Sequence, residues 1–180
     1  MADQDIVHIA ASAVRDRETG HVFCAAILSW PAGQNERVFL RDILSGSGDG
    51  SSYINTSAGL AHIVSVAMGR LSRRCSVKVQ IDVAPTEFMK FMELTNGSRK
   101  PTAHEAKLLQ EMHRTRDMFS KLAASIEQRT LSNGLRFSVV KASDDDAVCE
   151  VRSYASAYRD GWPSRNITSQ TAERSPSPSP

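Results

Sequence analysis

The sequence has few of the residues that mark disulfide-stabilised or zinc-binding proteins. Three of its 180 residues are cysteine, Cys24, Cys75 and Cys149, and none of them pairs at the short spacing of a zinc knuckle. An odd number of widely spaced cysteines fits reduced thiols better than a disulfide framework. We therefore expect an intracellular protein, with nucleus and cytoplasm left open.

Long apolar runs are also missing. No stretch approaches the roughly 20 apolar residues of a membrane-spanning helix. The first residues, "MADQDIVHIAAS", lack the basic and apolar regions of a signal peptide. We expect no membrane contact and no secretion.

Aromatic residues and excess charge are both scarce. Aromatic residues make up 6% of the chain, which argues against a stacking platform for single-stranded nucleic acid. The net charge of +2 is too small to indicate a polycationic nucleic-acid binder. Hydrophobic residues at 41% and charged residues at 23% are typical of one globular domain of ordinary size.

Apolar periodicity predicts an α/β order of elements. The predicted strands are 5–14, 21–30, 37–44, 75–83 and 135–142, and the predicted helices are 54–74, 85–94, 102–129 and 146–161. Short connections between the first three strands predict an antiparallel meander, whereas the last two strands are reached through helices. The result is a mixed five-stranded sheet with helices on both faces, in a domain over 1–162. A Ser/Pro-rich tail at 163–180 is expected to be disordered, and whether its Ser-Pro repeats are phosphorylated stays open.

Three successive aspartates, Asp144–Asp146, stand between the last strand and the last helix. Clustered carboxylates at the end of a strand are one way to bind a divalent metal. A carboxylate at a helix N-terminus also accepts hydrogen bonds from backbone N–H groups that have no partner in the helix. The sequence alone leaves both interpretations open.

The stretch around these aspartates resembles the ribonuclease H domains of fungal non-LTR retrotransposons. In those domains the last strand and helix read F-x-W-V-P-A-H-x-G-x-x-G-N-E-x-A-D-x-x-A, and residues 137–156 align with that pattern without a gap. Phe137, Val140, Ala142 and Glu150 match it. Two further segments are similar: "NGSRKP" (96–101) resembles a Pro-bounded basic turn, and "AASAVRD" (10–16) stands where T-D-x-S-V-x-D-G is found. The resemblance covers roughly residues 5–160 and implies a ribonuclease H-like fold.

The same resemblance implies a known reaction, and the carboxylates that this reaction needs can be compared with the residues of this chain. Ribonuclease H cuts the RNA of an RNA–DNA hybrid with two magnesium ions. Two such ions about 4 Å apart repel by roughly 17 kcal/mol at an effective dielectric near 20, so four carboxylates converge on them. The four carboxylate positions fall on Ala11, Gly59, Asp82 and Ser153, and the position of the assisting histidine falls on Ser143. One carboxylate of four, Asp82, is present.

We therefore expect a non-catalytic ribonuclease H-like module, retroelement-derived and without a cofactor. Asp82 either binds one weakly held metal ion or caps the following helix. One alternative is an active hybrid nuclease that uses magnesium in a rebuilt site made of Asp82, Asp144–Asp146 and Glu150. A second is a structural subunit that docks a protein partner.

Basic residues supply candidate phosphate contacts for an RNA–DNA hybrid or another duplex. The candidates are Arg70, Arg73, Arg74, Arg99, Lys100, Arg114, Arg116 and Lys121. The alternative is that they form solvated helix faces.

Overall fold

The computed structural model describes residues 6–30, 37–44, 52–71, 75–81, 85–111, 120–127, 137–141 and 145–162. Its strands are β1 (Ile6–Arg15), β2 (Val22–Ser29), β3 (Arg37–Leu44), β4 (Ser76–Ile81) and β5 (Phe137–Lys141). Its helices are α1 (Ser52–Met68), α2 (Pro85–Asn96), α3 (Ala103–Glu111), α4 (residues 120–127) and α5 (Asp146–Asp160).

The strands form one sheet in the order β3-β2-β1-β4-β5. β1, β2 and β3 pair antiparallel, as their short connections predict. β4 pairs parallel with β1, and β5 pairs parallel with β4. A parallel neighbour needs a crossover connection, and the helices between β3 and β5 supply it. This mixed α/β arrangement agrees with the ribonuclease H-like fold that the resemblance implies.

Alternation along the strands divides the core between two helical layers. On β1, Ile9, Ala11 and Ala13 face one side, and the buried residues of α1, α2 and α4 pack there. Ala10 faces the other side and packs with Val148 and its neighbours on α5. We call these sides the α1 face and the α5 face. Helices therefore cover both faces, as expected.

β2 has no polar alternation because both of its faces are covered. All seven residues from 22 to 28 are buried. A strand enclosed on both sides reads as a continuous apolar run, which is why "VFCAAIL" carries no polar residue. β3, at the edge of the sheet, alternates between exposed and partly buried positions instead.

Within the described residues, most predicted elements are found within two residues of their expected bounds, and two helices differ more. The helix predicted over 54–74 ends at Met68, followed by a turn at 69–70. The single helix predicted over 102–129 is described only as α3 and α4, and residues 112–119 lie outside the described part of the chain. So do residues 163–180, on which the predicted disordered tail falls. Among the described helices, none is long and apolar enough to cross a membrane.

Candidate functional site

Ala11, at the first carboxylate position of the family, lies in the middle of the sheet. It pairs with Ala26 of β2 and with Ile81 of β4, and it is fully buried on the α1 face. A methyl group there binds no metal. It fills the space beneath α1 and contributes to the main apolar core.

Gly59, which the resemblance aligns with the carboxylate of the first helix, has no space for a side chain. A Cβ atom added to Gly59 would lie 2.6 Å from Val22 Cγ1 and 3.0 Å from both Ala13 Cβ and Cys24 Sγ. Real Cβ atoms do not approach neighbours at 2.6 Å, so α1 lies too close to β1 and β2 for a side chain. The rest of α1 carries no aspartate or glutamate, as its sequence "SYINTSAGLAHIVSVAM" shows.

Ser153, at the last-helix position, is exposed on α5. Its Oγ donates a hydrogen bond of 2.9 Å to the backbone carbonyl of Cys149, one turn earlier. The side chain is thus engaged with its own helix and turned towards solvent. Asp82 and Ser143 lie outside the described residues, so the structure neither supports nor opposes a metal at Asp82. Among the described residues, the positions that the resemblance assigns to metal ligands are Ala11, Gly59 and Ser153.

Asp145, the middle residue of the aspartate cluster, is the N-cap of α5. Its Oδ1 accepts hydrogen bonds from the backbone N–H groups of Ala147 at 2.9 Å and Val148 at 3.3 Å. Its Oδ2 accepts a hydrogen bond of 2.8 Å from Nε2 of Gln80 on β4. The capping interpretation is confirmed for this residue. Asp146 is exposed in the first turn, and Asp144 lies outside the described residues.

Glu150, another member of the alternative rebuilt site, is directed elsewhere. Its Oε2 forms an ion pair of 2.5 Å with Arg37 on β3. Asp145 contacts β4, and β2 and β1 stand between β4 and β3 in the sheet. The two carboxylates therefore diverge. Across the described ranges, no group of three or more histidine, cysteine, aspartate or glutamate side chains is placed to hold a metal ion.

Sequence reasoning missed a polar cluster beneath α1. Nε2 of His62 on α1 lies 2.7 Å from Oδ2 of Asp42 on β3. Cys24 pairs with Asp42 across the sheet and is fully buried. Burial, followed by the negative charge of Asp42, raises the pKa of the Cys24 thiol far above its ordinary value. A thiol that stays protonated is a poor nucleophile, so this cluster has a structural role.

One signal in the sequence could have revealed that cluster. The α1-face positions of β3 are Val38, Leu40, Asp42 and Leu44, so Asp42 is the one charged residue in an apolar series. A charge at such a position needs a partner, and His62 is the one histidine of α1, a helix that contains no acidic residue, lysine or arginine.

Four of the predicted phosphate-binding residues are described. Arg70, Lys100 and Lys121 are exposed, whereas Arg99 forms an ion pair of 2.9 Å with Glu105. Arg70 follows α1, Arg99 and Lys100 lie between α2 and α3, and Lys121 is in α4. Lys121 lies on a helix that packs on the α1 face, and Arg70 and Lys100 lie in turns that follow two other helices of that face. Arg73, Arg74, Arg114 and Arg116 lie outside the described residues.

Arg99 and Glu105 are also part of the start of α3. Thr102 Oγ1 accepts a hydrogen bond from the Glu105 N–H at 3.3 Å, and Glu105 Oε2 accepts one from the Thr102 N–H at 2.8 Å. This reciprocal pair is a capping box. Arg99 therefore holds the α2–α3 turn, and its guanidinium is less available to a phosphate than Lys100.

Comparisons with known proteins give limited similarity. No protein-family model and no curated protein matches the sequence. RNase H1 from the halophilic archaeon Halobacterium salinarum NRC-1 superposes with a TM-score of 0.49 at 11% identity, covering 86% of this chain and 98% of that chain. The N-terminal RNase H domain of a Mycobacterium tuberculosis protein gives 0.44 at 14% identity, covering 86% and 98%. NurA bound to dAMP and manganese gives 0.28 at 17% identity, covering 87% and 38%. The fold assignment rests on the strand order and directions of the sheet.

Proposed function

We propose that this chain is a non-catalytic ribonuclease H-like module that acts by binding. The observation that carries the proposal is the close packing of α1 on the sheet at Gly59, where a Cβ would meet Val22 Cγ1 at 2.6 Å. A carboxylate from this position is needed to offset the repulsion between two divalent cations. The full burial of Ala11 in the core on the same face of the sheet supports the same conclusion.

The hydrogen bonds of the other acids also support this proposal. Asp145 is engaged by the N-terminus of α5 and by Gln80, and Glu150 is engaged by Arg37. Moving either one to a metal would break these contacts. The retroelement origin of the module is proposed on the sequence likeness of residues 137–156 alone.

We propose an RNA–DNA hybrid or another nucleic-acid duplex as the ligand. Arg70, Lys100 and Lys121 are exposed on helices of the α1 face or in turns next to them, and cations spread in this way can contact phosphates of a duplex backbone. Contacts of this kind position a duplex without reading its sequence. A protein partner is the second candidate, and the binding experiment below separates the two.

A cleavage assay tests the non-catalytic proposal. A labelled RNA–DNA hybrid is incubated with the protein and magnesium or manganese, beside an Asp82→Asn variant. We expect no cleavage by either protein. Cleavage by the native chain that is lost in Asp82→Asn would overturn the proposal and favour a rebuilt metal site that includes Asp82.

A binding titration tests the proposed ligand. Affinities for hybrid, duplex DNA and duplex RNA are measured at two salt concentrations. We expect binding that weakens as salt rises, because phosphate contacts release counterions. Lys121→Glu should weaken binding by about tenfold, since it replaces an attraction with a repulsion of similar size. Arg17→Glu, in the exposed turn after β1, makes the same change in net charge and should have a much smaller effect. No binding at low salt would reject the nucleic-acid ligand and leave a protein partner.

A further inference from the structure

β3 ends the sheet on the side opposite β5. It pairs with β2 along its whole length, and within the described residues no strand pairs with its other side. An edge strand presents unpaired N–H and C=O groups to any other extended chain. β3, "RVFLRDIL", contains no proline or lysine, and its three charges, on Arg37, Arg41 and Asp42, limit which registers of pairing are possible.

The α5-face side of β3 carries a row of one aromatic and two cationic side chains. Phe39 is 45% exposed and makes an edge-to-face contact with Tyr154 of α5, with ring centroids 5.8 Å apart. The Arg37 guanidinium lies 5.2 Å from the centre of the Phe39 ring, and the Arg41 guanidinium lies 4.7 Å from that of Tyr158. These contacts fix the row in place, while much of Phe39 remains open to solvent.

We propose that two copies of this chain associate through antiparallel pairing of β3 with β3, centred on Leu40. Two identical edges that join in one continuous sheet are related by a two-fold axis perpendicular to the sheet. Residues opposite each other must then point to the same face, so the register is centred on one residue, and the axis passes midway between the two copies of that residue.

The charges of β3 select among the possible centres. With the axis at Phe39, Arg37 of each copy faces Arg41 of the other, and with the axis at Arg41 the two copies of Arg41 face each other. Like charges directly opposite are destabilising. With the axis at Leu40, Phe39 of each copy faces Arg41 of the second copy, which matches an aromatic ring with a cation twice.

The same register suits the α1 face. Leu40 meets Leu40 at the axis, and Val38 of each copy faces Asp42 of the other. Both Val38 and Leu40 are partly buried hydrophobic residues whose remaining exposed surface would be covered. An axis at Asp42 would instead oppose two carboxylates, and an axis at Val38 would pair only three residues of each strand. Complementarity therefore points to a second copy with Leu40 at the centre.

Sedimentation equilibrium over a concentration series from about 1 to 200 µM tests the association, a range in which micromolar complexes dissociate. We expect a shift from the mass of one chain to the mass of two. Phe39→Lys places a lysine opposite Arg41 on both sides of the axis and should weaken the dimer at least tenfold. Met89→Lys makes the same kind of change at a residue that is 38% exposed on α2, so it should leave the dimer unchanged.

Cysteine crosslinking tests the register. In a Cys75→Ser/Cys149→Ser background, Leu40→Cys brings two thiols together at the axis, where Cα atoms of opposite residues are within disulfide range. Leu40→Cys should form a covalent dimer under mild oxidation, whereas Phe39→Cys and Arg41→Cys should not. A single-chain mass at every concentration would overturn the proposal. So would a dimer that is insensitive to Phe39→Lys, or crosslinking at position 39 or 41 in preference to 40.

Discussion

At the scale of single residues, glycine at position 59 determines what α1 can do. A glycine in the middle of a helix costs about 1 kcal/mol relative to alanine, so it is expected where packing requires it. Here the helix approaches β1 and β2 so closely that the missing side chain is replaced by Val22, Ala13 and Cys24. Gly59 is thus part of the contact between α1 and the sheet.

Gly59→Ala should destabilise the protein. The added methyl group overlaps Val22 Cγ1, and overpacking of this kind costs about 1–3 kcal/mol, against a gain of about 1 kcal/mol in helix propensity. We expect a net loss of up to about 2 kcal/mol in the free energy of unfolding by urea. Gly69→Ala is the control, because its Cβ would lie 3.4 Å from two backbone oxygens, and should change stability by less than about 0.5 kcal/mol. An equal effect of both changes would contradict the close packing at Gly59.

Cys24 should make stability fall at alkaline pH. The pKa of its thiol is raised by burial and by Asp42, from an ordinary value of 9.0 that applies in the unfolded chain. A raised folded-state pKa contributes stability below the unfolded pKa, and this contribution is lost as pH rises above about 9. The loss attributable to Cys24 is about 1.4 kcal/mol per pH unit. Urea unfolding between pH 8 and about 10.5 should show a shallower decline for Cys24→Ala than for the native chain. Cys149→Ala, at an exposed cysteine, should retain the native decline.

At the scale of elements, α5 is fixed to the sheet at both ends. Its N-terminus is joined to β4 through Asp145 and Gln80. Near its C-terminus, Phe23 of β2 contacts both Tyr158 and Trp162 edge to face, with ring centroids 5.5 and 6.0 Å apart. Each aromatic pair of this geometry contributes about 0.5–1.5 kcal/mol beyond burial. Asp145 therefore caps this helix and attaches its N-terminus to the sheet.

Asp145→Ala should cost about 2 kcal/mol in the free energy of unfolding. It removes an N-cap, worth about 1 kcal/mol, and leaves Nε2 of Gln80 without its carboxylate acceptor. Asp145→Asn should retain most of the stability, because asparagine is an equally good N-cap. Asp146→Ala is the matched control and should lose less than about 1 kcal/mol, since that side chain acts only through the helix dipole. Equal losses for Asp145→Ala and Asp146→Ala would refute the capping assignment.

At the scale of the whole molecule, one sheet separates two unequal helical layers. The α1 face holds the larger core, formed with α1, α2 and α4, and the α5 face holds a smaller core beneath one helix. The exposed cations proposed to contact phosphate lie on helices of the first layer or in turns next to them, whereas the proposed dimer contact is the edge strand β3, with residues on both faces. The two proposed surfaces use different residues, so dimerisation can be tested without nucleic acid.

The sequence by itself determined the order of elements and most of their bounds. Strand β3 was predicted at the residues where it is observed, and β1 and β2 within one residue at each end. Such agreement is expected, because alternation and apolar runs are local consequences of which faces are buried. The lack of acids in α1 was equally readable from the sequence. The single helix predicted over 102–129 is described as α3 and α4, and residues 112–119 between them lie outside the described part of the chain. Helical periodicity sets no precise limits to a helix.

Only the tertiary structure decided what individual side chains contact. The sequence allowed Asp144–Asp146 to bind a metal or to cap a helix, and the hydrogen bonds of Asp145 to α5 and Gln80 decided for capping at that residue. The sequence shows only that residue 59 is glycine, and the distance to Val22 shows a close approach of helix and sheet. The pair of His62 and Asp42 joins residues 20 positions apart. Contacts of this kind depend on how helices are placed on the sheet, and that placement comes from packing in three dimensions, which local patterns do not encode.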